Sequence, residues 1–66
     1  MIKREFYVII VNIETNGIKS IEARCDSIDN ANLFREENAY IIKDLNKPYA
    51  FPKYEFRINE VVVIED

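Results

Sequence analysis

The sequence predicts an α+β domain of order ββαβ: a three-stranded antiparallel sheet, strand order 2-1-3, with one helix packed on one face. Three observations carry this reading. Asn16-Gly17 separates two segments rich in β-branched residues, the pattern of a hairpin tip. Between Ile28 and Leu45 the apolar residues recur at helical spacing. From Lys53 to Glu65 the chain returns to period-two alternation and β-branched residues. With 66 residues, the chain has room for a single domain and a small core only.

The first strand is read as Glu5 to Ile13, dense in β-branched and aromatic side chains. A type I′ turn needs positive φ at both central residues, and Asn16-Gly17 tolerates this, so a two-residue loop is expected to pair Thr15 with Ile18. Counting back sets Ile13 against Ser20, Val11 against Glu22 and Ile9 against Arg24 on one face. The other face then pairs Asn12 with Ile21, Ile10 with Ala23 and Val8 with Cys25. The second strand alternates cleanly, with Ile21, Ala23 and Cys25 inward and Ser20, Glu22 and Arg24 toward water. The first strand does not. Phe6, Val8 and Ile10 face inward, while Tyr7, Ile9, Val11 and Ile13 line the outer face and predict an apolar surface there.

Ser27 is a good N-cap and Asp29 suits the first turn, where a carboxylate favours the positive end of the helix dipole. A single helix is expected from about Ile28 to about Asp44, its stripe of Ile28, Ala31, Phe34, Ile41, Ile42 and Leu45 lying against the inner face of the sheet. Asn38 falls inside the stripe and is its weak point: a helix ending there leaves Ala39 to Lys43 as a further turn or a short strand. Leu33 and Tyr40 fall on the far side of the wheel. Asn46-Lys47-Pro48 stops the helix, and Pro48 to Pro52 form a loop braced by proline at both ends. In the last strand Tyr54, Phe56 and Ile58 alternate with Glu55, Arg57 and Asn59 before the run Val61 to Ile64. The change of phase near Asn59-Glu60 predicts a bulge or the end of one-sided exposure. A right-handed crossover through the helix places this strand beside the first.

Nine basic against 12 acidic residues leave a net charge of −3, with no basic cluster longer than Lys3-Arg4. That argues against a nucleic-acid partner. The apolar run Phe6 to Val11 is too short for a membrane span and no small-residue cleavage site follows it, so neither membrane insertion nor secretion is expected. A lone Cys25 excludes an internal disulfide, and the absence of His argues against a structural zinc. These features suit a cytoplasmic protein that gains stability by self-association.

No enzyme is expected. Without His, Cys25 and the serines at positions 20 and 27 have no adjacent activating base, and the one glycine forms no phosphate loop. Glu36 and Glu37 diverge by about 100° on a helix, too far to share a metal. No catalytic residue, cofactor or metal site is therefore assigned. The outer stripe Tyr7, Ile9, Val11 and Ile13, with Val61 and Val63, is expected to form a homodimer or higher homo-oligomer by sheet-to-sheet packing. The other cover for it is the loop 47 to 53, folded back within one chain.

The expected function is stoichiometric binding to a protein partner. Glu36, Glu37, Asp44, Glu55, Glu60, Glu65 and Asp66 give an acidic surface that suits the basic sites of a host-defence or nucleic-acid-processing enzyme. Brevity, acidity and richness in Ile, Asn and Lys are similar in style to the accessory proteins of bacteriophages and mobile elements of low-GC bacteria, which implies an inhibitor of a host protein. The alternative is a homo-oligomer that sequesters an anionic, nucleotide-like signal molecule between subunits, gripped by Arg35, Tyr49, Tyr54 and Arg57.

Overall fold

A computed structural model describes residues 1–65; Asp66, part of the expected acidic surface, lies outside them. The chain folds as β1 (Ile2–Asn12), β2 (Ile18–Cys25), α1 (Ile28–Glu37), α2 (Ala39–Asn46) and β3 (Tyr54–Ile64). The three strands form one antiparallel sheet in the order β2-β1-β3. Phe34 of α1 meets Phe56 of β3 edge to face at 6.4 Å, which identifies the face bearing Val8, Ile10, Phe56 and Ile58 as the one under the helices. Among the described residues no helix is long and apolar enough to cross a membrane.

The expected single helix is two. Asn38 breaks it with φ −114° and ψ 20°. Its backbone N–H and its Nδ2 both donate to the Phe34 carbonyl, at 3.0 and 2.9 Å. A side chain that bonds the backbone this way competes with the helical ladder, and α2 starts at Ala39 without a side-chain cap. At the other end of α1, Ser27 accepts from the Asn30 amide at 3.1 Å, the N-cap arrangement the sequence implies.

The hairpin register also differs from expectation. Asn12 uses its side-chain oxygen to accept from the Glu14 and Thr15 amides at 2.9 and 3.2 Å. Its own N–H donates to the Gly17 carbonyl at 2.9 Å, and its carbonyl accepts from Asn16 at 2.7 Å. The result is a four-residue loop, 13–16, with only Asn16 in the left-handed region at φ 62°. A type I′ turn would need Gly17 there as well. Beyond the loop, Val11 faces Ile18, Ile10 faces Ser20, Ile9 faces Ile21, Val8 faces Ala23, Tyr7 faces Arg24 and Phe6 faces Cys25. The two shifts in this ladder leave Lys19 and Glu22 as extra residues of β2, the signature of β-bulges. Ile21, expected under the helix, is carried opposite Ile9 and is 57% exposed.

β1 and β3 pair without interruption from Ile2–Ile64 to Asn12–Tyr54, so no bulge marks Asn59-Glu60. The phase change there records the end of the helical cover. β2 stops opposite Phe6, and residues 2–5 with 61–64 continue as a bare two-stranded ribbon. This overshoot stretches the molecule to 48 × 25 × 12 Å.

The core is one strand wide. Val8, Ile9, Ile10 and Val11 are buried consecutively, joined among the described residues only by Ala31 of α1. Burial of each large side chain stabilises the fold by about 1.5–3 kcal/mol.

Candidate binding surface

The outer stripe is not bare. Ile9 is 3% and Val11 2% exposed within a single chain, contrary to the expectation of an open apolar face. The cover comes from β3. Arg57 stands opposite Ile9, and Glu55 opposite Val11. The Arg57 Nε donates to Glu55 at 2.8 Å and its Nη1 donates to the Asn16 side-chain oxygen at 2.8 Å. To reach both partners the arginine must run along the sheet toward the hairpin loop, past the position of Glu55 that stands opposite Val11. Long charged side chains commonly cover apolar surface in this way. Further along the same face the Arg24 guanidinium lies 5.4 Å from the centre of the half-buried Tyr7 ring. Of the six residues expected at an oligomer interface, only Ile13 is exposed, while Tyr7, Val61 and Val63 are half-buried. The loop 47 to 53 does not supply the cover, since Tyr49 and Phe51 remain exposed.

Arg24 also donates to Glu5 at 3.1 Å, and Lys3 approaches the same carboxylate at 3.8 Å. The Glu5 side chain is 13% exposed. The Arg24 hydrogen bond, against partial desolvation, holds the Glu5 carboxyl below the usual carboxylate range.

At the hairpin end, Asn46 terminates α2 and closes the edge of the sheet. Its Oδ1 accepts from Lys53 and Tyr54 at 2.9 and 3.0 Å, and its Nδ2 donates to the Tyr54 carbonyl at 3.0 Å. The Ile13 amide donates to the Lys53 carbonyl at 2.9 Å. These bonds seat the proline-braced loop beside the hairpin tip and open a cleft of about 630 Å³ lined by Ile13, Glu14, Tyr49, Phe51, Pro52 and Lys53. Phe51 projects at its rim, 84% exposed.

Of the four residues expected to grip an anion, only two come together. Tyr49 and Tyr54 meet edge to face at 6.3 Å. Arg57 is on the opposite face of the sheet, held by Glu55 and Asn16. Arg35 lines a separate hollow of about 380 Å³ with Ala39, Ile42, Glu55 and Phe56. Lysines stand where arginines were expected. The Lys53 Nζ is 4.8 Å from the Tyr49 ring centre and 5.9 Å from that of Tyr54, and the Lys19 Nζ is 5.3 Å from Tyr54. Lys53 adjoins Tyr54 in sequence and was legible as a neighbour; Lys19, the extra residue at a bulge of β2, approaches it from the other side of β1. Among the described residues no group of three or more His, Cys, Asp and Glu is placed to hold a metal ion.

Comparison with protein families, with characterised proteins and with solved structures yields no match to this chain.

Proposed function

We propose that this chain is a non-catalytic binding protein that engages a protein partner stoichiometrically through its hairpin end, as an inhibitor of a host enzyme. The observation that supports this reading is Phe51, 84% exposed beside an apolar cleft. Pro52 restricts the backbone at Phe51 and Pro48 braces the start of the loop, so docking this aromatic into a partner's pocket orders less main chain than a free loop would. The net charge of −3 favours a basic target and a fast, salt-sensitive encounter. The test is affinity capture from bacterial lysate with wild type and Phe51→Ala as paired baits, followed by titration of the recovered partner. The expected outcome is a 1:1 partner whose affinity drops about thirty-fold or more with Phe51→Ala. Recovery of nothing, or equal binding by both baits, overturns the reading.

A second reading rests on Lys19 and Lys53, which share the Tyr54 ring and have no salt-bridge partner among the described residues. Two uncompensated ammonium groups beside two tyrosines suit an anionic aromatic ligand such as a nucleotide, although Glu14 on the cleft wall opposes it. Thermal stabilisation by one member of a nucleotide panel, abolished by Lys53→Ala, would favour sequestration; a flat panel would reject it.

A further inference from the structure

Among the described residues the far edge of β3 pairs with no strand, and its backbone polarity can be read from the ladder. Met1 and Glu65 exchange hydrogen bonds in both directions, and Ile13 donates to the Lys53 carbonyl. Hydrogen bonding alternates along an antiparallel pair, so the odd residues of β3 bond inward to β1 and the even ones aim their N–H and C=O outward. Asn46 satisfies the outward groups of Tyr54. Those of Ile58, Glu60, Val62 and Ile64 meet no strand. On the ribbon, Ile2, Val62 and Ile64 share the helix face without a helix over them, and Ile64 is 77% exposed. A two-stranded ribbon is marginal in water and gains stability from a third strand.

We propose that this edge pairs with the same edge of a second copy, antiparallel about a two-fold axis at Val61, to give a continuous six-stranded sheet. The register follows by elimination. Centring on Glu60 would set Glu60 against its own copy, a repulsive pairing. Centring on Asn59 would drive the partner's Ile64 onto Tyr54, whose edge Asn46 occupies. Centring on Val62 shortens the seam among the described residues to positions 59–65. Centring on Val61 sets Ile58 against Ile64, Asn59 against Val63, Glu60 against Val62 and Arg57 against Glu65, with no like charges directly opposed. The Arg4 Nε, 3.4 Å from Glu60, offsets the diagonal approach of the two Glu60 carboxylates. The seam runs for about 30 Å and forms about eight backbone hydrogen bonds.

Neither other edge serves as well. Beyond Phe6, β1 offers only the outward groups of Ile2 and Arg4, and a two-fold pairing of useful length sets Lys3 against Lys3 or Arg4 against Arg4. The edge of β2 is distorted by its bulges at Lys19 and Glu22.

At the two-fold, Val61 faces its own copy in a non-hydrogen-bonded pair, with Cα atoms about 4.5 Å apart, within disulfide range. In a Cys25→Ser background, Val61→Cys should oxidise rapidly to a covalent dimer while Val63→Cys and Lys3→Cys do not. Wild type should sediment at twice the 7.8 kDa chain mass. Val62→Glu, at an exposed position opposite Arg4 within its own chain, should stay folded by circular dichroism and, because it sets like charges against Glu60 of the other copy, sediment as a monomer. A monomeric wild type at 100 µM, or faster crosslinking through Lys3→Cys, overturns the assignment. Phe51→Ala should leave the dimer intact, so failure of the binding reading and failure of this one are separable.

Discussion

The two ends of the sheet treat their exposed backbone in opposite ways. At the hairpin end polar side chains answer the main chain: Asn12 closes the loop, Asn46 caps the edge at Tyr54, and Arg57 is fastened to Asn16 over Val11. At the ribbon end the strands bond only to each other, and the side-chain contacts are surface ion pairs such as Arg4–Glu60. The difference separates a part that is complete within one chain from a part that is not. It also explains how so small a core suffices, because hydrogen-bonded polar side chains replace the missing second layer over Ile9 and Val11.

The contrast is broken most severely in the core. Ile10→Ala should cost about 3–4 kcal/mol in urea denaturation, a large share of a total stability of about 3–10 kcal/mol for a domain of this size. Ile64→Ala, at the ribbon tip, should change monomer stability by less than about 0.5 kcal/mol. Comparable losses at both sites would show that the ribbon is part of the core.

Asn46→Ala should cost about 2–3 kcal/mol, since the Lys53 and Tyr54 groups it serves are left without partners. Amide exchange at Tyr54 and Lys53 should rise before that of Val8. Unchanged protection would mean that the loop, and not Asn46, holds this edge.

Arg57→Ala should cost about 1–2 kcal/mol by uncovering Val11, and Arg57→Met should recover most of it by restoring the stem. If Met is no better than Ala, charge holds the strap and packing does not.

The smallest effect concerns Glu5. Its carboxyl titrates below the ordinary carboxylate value of about 4.3, so its contribution is complete above that value and is lost as pH falls through and below it. Glu5→Gln should flatten this acid limb of the thermal melting profile and leave neutral-pH behaviour nearly unchanged. A wild-type profile that is flat below pH 4, or one identical in the variant, would remove Glu5 from the account.

Local pattern determined much of this protein. The three strands and their order, the helical segment with its Ser27 cap and the Ala31–Phe34 stripe follow from residue type and spacing, because propensity, capping and periodicity act over a few neighbours. The weak point at Asn38 was visible too, and the outcome was decided by two hydrogen bonds to one carbonyl. The tyrosine pair and the adjoining Lys53 were legible as residue types, whereas the approach of Lys19 was not. Tertiary structure alone decided the hairpin register, the fate of Ile21 and the cover over Ile9 and Val11. Asn16-Gly17 satisfies a two-residue turn as readily as a longer loop, and the choice fell to Asn12 and to bulges that reconcile β2 with β1. The strap of Arg57 over Val11 joins positions 41 residues apart, Arg57 and Asn16, and no local pattern encodes a contact that exists only once the strands have paired.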